Sequence, residues 1–449
     1  MRKYKDFIES YISYTSNHES SEKLRKWIAI SCIAGVLQRR VWLDFDYYKL
    51  YPNLYVFIVG PSGLVKKSTA MGIGVDLLRE CNIKIMSDRV TPSSLVAEMR
   101  SAATFFKLGP QTVKQSAVFA YASELKSTFG GSIHQVAELL TDFFDCNPHD
   151  PSKPWIHKTG KDRTAIYGPC LNILAGTTPT WLTKMIPVED MEGGFASRVL
   201  FVVEQPSKKH IAWPGLDDDK KLMKQSLVHD LHQIMNKCVG QFRVHSKARD
   251  LFTMWYENHM THDVPRNTDP KFSGYMGRKG DTIRKLAMIR ACSLGEEMII
   301  ETDHILWAAE QLEELEKTMF DALRTFSEDD LLIDIQEYVR ARGKVNLREI
   351  IQVFSSKASD NSIGNLCVDL RITGVFKEIK LGSDITYEFI NRTYPTEEIA
   401  ISDQEISSCV SDQENMEPVN ESDVEHHETS DTQQSASSQT APTWPEPFQ

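Results

Sequence analysis

Residues 54–70 read Leu54-Tyr-Val-Phe-Ile-Val-Gly-Pro-Ser-Gly-Leu-Val-Lys-Lys-Ser-Thr-Ala70, and this stretch decides the fold class. Six apolar residues ending at Val59 suit a strand buried on both faces, as in a parallel sheet covered by helices. Gly60, Pro61, Ser62 and Gly63 then turn the chain, and Lys67-Ser68-Thr69 opens a helix. A phosphate chain needs inward backbone N–H groups, a helix N-terminus behind them, one long cation and one hydroxyl for a metal ion. The turn Gly60, Pro61, Ser62, Gly63 with Lys66 supplies the first through its non-proline residues, Lys67 the cation, and Ser68 with Thr69 the hydroxyls. The spacing departs from G-x-x-x-x-G-K-[ST], because Lys67-Ser68 lies one residue further from Gly60 and Lys66 stands at the last glycine. An ordinary glycine turn between strand and helix is the plainer alternative.

Composition bounds the rest. The chain has 449 residues, 41% hydrophobic and 25% charged, enough for a large core and a second small domain. No run of 18 apolar residues occurs, and the start Met-Arg-Lys-Tyr-Lys-Asp lacks a signal-peptide core, so a soluble cytoplasmic protein with no membrane partner is expected. Eight cysteines contain no Cys-x-x-Cys pair, which points to neither a zinc site nor a disulfide framework. The net charge is −11, yet residues 391–449 hold 13 acidic groups against one basic, leaving the first 390 near +1. Local basic loops can therefore dominate the surface field of the folded part.

Along the chain, residues 1–50 read as helical, with Tyr4, Phe7, Ile8, Tyr11 and Ile12 at helical spacing and a more apolar segment from Leu24 to Leu37, expected as a lid or collar. After the loop helix at 67–80 come a short strand at 83–86 and a helix start at Thr91-Pro92. Residues 116–124 form a buried strand ending in Glu124, where an acid orients water beside Mg²⁺ in a phosphate-loop fold; Ser123 stands where an Asp is usual. Residues 135–146 read as an amphipathic helix. Residues 155–166 read as a hairpin about Gly160 that carries Lys158, Lys161 and Arg163, cations suited to a phosphate backbone. A third strand at 171–179 ends in Thr177-Thr178, and Arg198 precedes a fourth apolar strand. From 216 to 326 the pattern is helical, with Arg278 in one helix and Thr302 placed to cap another. Residues 328–391 give three helices then two strands, the order of a winged helix. Beyond Arg392 the acidic, polar composition predicts disorder, and Trp444-Pro-Glu-Pro-Phe-Gln449 reads as a docking peptide or a free tail.

Taken in order, Gly60 to Thr69, Glu124, the basic hairpin 155–166, Thr177-Thr178-Pro179, Ser197-Arg198 and Arg278 resemble the AAA+ module of minichromosome-maintenance (MCM)-type helicases, and more closely the helicase-like ATPases of phages, plasmids and genomic islands. The resemblance covers roughly residues 50–390 and includes the winged helix. Thr178 replaces the family's sensor asparagine, and no oligonucleotide-binding barrel or zinc motif precedes the ATPase. The resemblance implies an α/β phosphate-loop AAA+ core at 51–215, a helical collar at 1–50, a helical lid at 216–327, a winged helix at 328–392 and an acidic tail at 393–449. It implies a homo-hexamer or other ring that hydrolyses ATP with Mg²⁺ and moves on single- or double-stranded DNA, with a replication partner for the tail. Lys67, Glu124, Thr178, Arg198 and Arg278 take the catalytic roles, Ser68 and Glu124 the metal, and Lys158, Lys161 and Arg163 the DNA. A replication initiator or helicase loader without unwinding activity is the alternative, and a RecA-type ring motor or a purely structural protein are further ones.

Overall fold

The computed structural model describes residues 1–86, 89–129, 133–159, 162–179, 181–182, 194–266, 270–324, 328–355, 360–382 and 384–390. Gly160, Lys161, Gly193 and the tail 393–449 lie outside them.

Its centre is a six-stranded sheet. Val199–Val203, Tyr55–Val59, Pro169–Thr177, Gln111–Ala122 and Ile85–Met86 lie side by side in that order, all parallel. Numbered by appearance in the chain, the spatial order is five, one, four, three, two. Every residue of Tyr55–Val59 and Pro169–Thr177 is buried, which is why both read as unbroken apolar runs. The sixth strand, Ala103–Leu108, pairs antiparallel with the first half of Gln111–Ala122.

Alternation divides the side chains of the loop strand between two helical layers. The Tyr55 hydroxyl donates to Leu140 O at 2.6 Å, on the face covered by His134–Phe144. On the other face Asn172 Nδ2 donates to Ala34 O, in the helix Glu22–Leu37. Thirteen of the sixteen residues of Glu22–Leu37 are buried, so this helix, expected to pack against the core as part of a lid or collar, forms an inner layer of it. The last part of the 1–50 segment is not helical: Val41–Asp44 and Lys49–Leu50 pair antiparallel.

The loop helix, Lys67–Glu80, packs on Glu22–Leu37 at a glycine. A Cβ added to Gly74 would meet Ile28 Cγ2 at 2.5 Å and Cys32 Sγ at 3.0 Å. Gly74→Ala is expected to destabilise the protein by about 1–3 kcal/mol through overpacking. An unchanged urea midpoint would show that this contact gives way freely.

One apolar cluster runs from Phe7 through the sheet to Met319 in the helix Thr302–Arg324, so the expected boundaries at 50/51 and 215/216 fall inside a shared core. Thr302 is the first residue of its helix and not the cap, and the Glu301 N–H donates to the His304 ring at 3.1 Å. A second cluster, with Leu331, Ile335, Ile350, Ile363, Leu366 and Tyr387, holds three helices (Glu328–Arg342, Leu347–Phe354, Asp360–Ile372) against a small antiparallel sheet. That sheet has a third strand, Lys344–Asn346, beside Asp384–Phe389 and Phe376–Leu381. Among the described residues no helix is long and apolar enough to cross a membrane. The seven described cysteines are free and buried.

Candidate nucleotide site

Parallel strands bring their carboxyl ends to one edge, and registry fixes what meets there. Val59 pairs with Thr177, and Ala122 with Ala175. Gly60, Thr177-Thr178 and Glu124 therefore end three adjacent strands, with Glu124 two strand spacings, about 10 Å, from the loop strand. The intervening strand stays low because Gly176 has no side chain: a Cβ there would lie 2.7 Å from Ser123 O. The result is a cleft of about 440 Å³ lined by Ser62, Gly63, Lys66, Lys67, Ser68, Thr69, Ser123, Glu124 and Thr178, among others.

The loop between Gly60 and Lys67 is fixed by one buried side chain and two left-handed backbone residues. Val65 is buried and anchors it, while Gly63 takes a left-handed φ of +75° with open space around the missing Cβ. Gly60 is held from below, since a Cβ there would meet Glu204 O at 2.8 Å. Lys66 also has a left-handed φ of 56°, at the residue where the usual motif has its last glycine. The geometry demanded at that point is thus kept, at a cost of about 1–2 kcal/mol for an L-residue. The Lys66 ammonium lies 3.6 Å from Glu19, a half-exposed pair that recovers little of this. Lys66→Gly is expected to raise stability by about 1 kcal/mol, read as a higher denaturant midpoint; a lower one rejects the strain.

Lys67 begins the helix and turns back over the loop, donating to Gly60 O at 2.5 Å and Pro61 O at 3.1 Å. Both acceptors are carbonyl oxygens of its own loop. Burial lowers the Lys67 pKa, and Glu124 across the cleft opposes that shift by favouring the charged form. Thr69 Oγ1 donates to Lys66 O at 2.9 Å, and the Tyr121 hydroxyl to Ser68 O at 3.3 Å, so both residues stiffen the helix start. For a polyphosphate the donors fit. For Mg²⁺ the cleft offers the Ser68 hydroxyl and the Glu124 carboxylate, hard oxygens that suit an ion keeping several waters.

Two further side chains line this cleft that no sequence motif marked. Lys126, two residues after Glu124, sits with its ammonium 4.0 Å from the Trp181 ring centroid.

Arg198 and Arg278 are elsewhere. Val199 pairs with Tyr55, so Arg198 enters at the opposite edge of the sheet, about 16 Å along the strand from Gly60. It is buried and grips Asp145 with two bonds, Nε to Oδ1 at 3.0 Å and Nη2 to Oδ2 at 2.6 Å. Arg278 Nη1 lies 4.0 Å from the same carboxylate. The structure thus brings the two arginines together and separates them from the Gly60–Lys67 loop.

The basic hairpin comprises Pro154–Thr159 and Asp162–Tyr167, with Lys158 directly opposite Arg163. Both are exposed, and among the described residues neither pairs with a carboxylate. Trp155 fixes the base, stacking on His157 and donating Nε1–H to Asp142 at 3.1 Å. A second hairpin, Ala103–Leu108 with the start of Gln111–Ala122, was not foreseen; its Phe105 is 63% exposed, and Lys114 lies 4.8 Å from the ring centroid of Tyr167 in the first hairpin. No protein-family model matches this chain, and no curated protein matches it.

Proposed function

We propose that the chain is an ATP-hydrolysing, ring-forming DNA translocase built on an AAA+ core, the replicative helicase of a phage or other mobile element. The observation that carries this reading is the split arrangement. Lys67, Ser68, Thr178 and Glu124 share one cleft, whereas Arg198 and Arg278 converge at the far edge of the same sheet. A phosphate site at one edge and paired arginines at the other complement each other between adjacent copies in a ring.

Bound ATP would supply the scissile phosphoanhydride, and Mg²⁺ would spread the charge of its phosphates. The chain does the rest. Backbone N–H groups from Ser62 to Lys67 and the Lys67 ammonium hold the phosphates, since the Gly60 N–H already donates to Thr177 O and Pro61 has none, and the Ser68 hydroxyl with Glu124 holds the ion's position. Glu124 orients and polarises the attacking water, and Thr178 contacts the terminal phosphate. Arg198 and Arg278 of a neighbouring copy stabilise the charge that develops on transfer. Lys158, Lys161 and Arg163 grip one DNA strand through its phosphates, so base identity has little weight. The three-helix unit at 328–390, read as a winged helix, also fits the alternative of an initiator or loader.

ATP hydrolysis measured with and without single-stranded DNA, alongside mass by light scattering in ATP, tests the reading. Stimulation by DNA in a ring-sized species supports it. A monomer with no hydrolysis removes it, and hydrolysis without strand displacement on a forked duplex selects the loader.

A further inference from the structure

Arg198 and Arg278 open onto a cavity of about 240 Å³ that also takes in Lys285 and Asp145. Arg278, Asp281, Thr282 and Lys285 form one stripe along the helix Pro270–Leu294, at positions i, i+3, i+4 and i+7.

The charges in this cavity do not balance. Two of its lining groups are already paired outside it, Lys49 with Asp44 at 3.3 Å and Asp281 with Arg284 at 2.8 Å. That leaves Arg198, Arg278 and Lys285 facing Asp145, with Asp281 shared between them and Arg284. Lys285 is 3% exposed, and among the described residues its Nζ meets neutral oxygens of Asn53, O and Oδ1 at 3.0 Å each, and the Phe144 ring, 3.7 Å from the centroid. Three cations against one full and one shared anion leave positive charge in surplus, with Arg198 and Lys285 buried and Arg278 reaching solvent. The strain shows in the titration of the cations. Burial draws Lys285 down to about 8, and burial with the nearby Arg198 charge lowers Arg278.

We infer that this cavity is a phosphoryl-anion site and that Asp145 is its internal occupant, a carboxylate seated on the Arg198 fork where the anion's oxygens would bind. A dianion returns more negative charge than the carboxylate it displaces, and a tetrahedral group has a further oxygen for Arg278, which Asp145 reaches only at 4.0 Å while seated on Arg198. Asp145 is about one-third exposed, so it can leave toward solvent. The same chemistry has two sources: free phosphate, or the terminal phosphate of a nucleotide on a second copy of this chain. The second rests on the proposed function. In that case an isolated subunit keeps its arginines masked by its own aspartate until a neighbour's nucleotide arrives.

The test uses the full chain carrying Lys67→Ala, so that the phosphate loop contributes little, and titrates inorganic phosphate by calorimetry. Adding Asp145→Asn is expected to tighten phosphate binding at least tenfold, and adding Arg278→Gln to that variant to abolish the gain. Equal affinity with Asp and Asn, or a gain that survives Arg278→Gln, overturns the inference. Should Asp145→Asn fail to fold, Arg278→Gln in the Lys67→Ala chain alone is expected to weaken phosphate at least fivefold, and no change there overturns it equally. To separate the sources, Lys67→Ala and Arg278→Gln chains are mixed. Recovery of ATP hydrolysis assigns the cavity to a neighbour's nucleotide, whereas no recovery with phosphate binding intact assigns it to free phosphate. If the unaltered chain hydrolyses no ATP, the motor reading fails while the phosphate titration still decides this one.

Discussion

Lys67→Ala is expected to lower the turnover number for ATP by about 100- to 1,000-fold, the loss seen when one pre-positioned donor to developing charge is removed. The Lys67 ammonium is turned onto two carbonyl oxygens of its own loop, Gly60 and Pro61, and burial already disfavours its charge. A triphosphate would give it better acceptors. The fold should survive, because Lys67 is only half-buried at a helix start and its partners are carbonyls beside the cleft. Steady-state phosphate release at saturating ATP and Mg²⁺, with circular dichroism of both proteins, checks this. Activity within a few-fold of the parent means that the loop does another job.

Replacing Lys158, Lys161 and Arg163 together by alanine is expected to cost DNA affinity in a particular way. Each phosphate contact to a single strand contributes about 0.7 to the slope of log affinity against log salt, so three lost contacts flatten it by about 2. Hydrolysis without DNA should stay within about twofold, since Lys158 and Arg163 are exposed and are not part of the cleft lining. Anisotropy of a labelled oligonucleotide across a salt series reads both slope and intercept. A uniform loss of affinity with the slope unchanged would place these cations off the DNA. The strand pairing that sets Lys158 against Arg163 puts two charges side by side on one exposed tip, and like charges so placed persist where an anion rewards them.

Much of the fold was legible because its signals are local. An unbroken apolar run bounded by glycine can only be a covered strand or a buried helix, and the runs at Tyr55, Val118 and Leu171 are too short for helices. Glu124 and Thr178 were readable for the same reason: they end strands, and parallel strands end together. The residues that escaped depend on distant partners. Nothing near Asp145 in the chain announces an arginine 53 residues later. Lys126 and Trp181 meet only because the strands that precede them lie side by side. Helix Glu22–Leu37 is apolar on nearly all sides, which accounts for its inner place in the core. One miss had a local signal. The stretch before Ser116 alternates around Gly109-Pro110, a turn between two strands, and its polar faces hid the pairing.

The burial of Glu22–Leu37 also bears on how the chain is made. Its apolar surface is covered by the strand Pro169–Thr177 and by the helices Asp218–Lys237 and Pro270–Leu294, so at roughly 5–20 residues per second it waits on the order of 10–50 s on the ribosome for its partners. Throughout that interval a sticky amphiphile protrudes from every nascent copy. Expression at reduced temperature or with a holding chaperone should therefore matter more for this protein than any downstream purification choice.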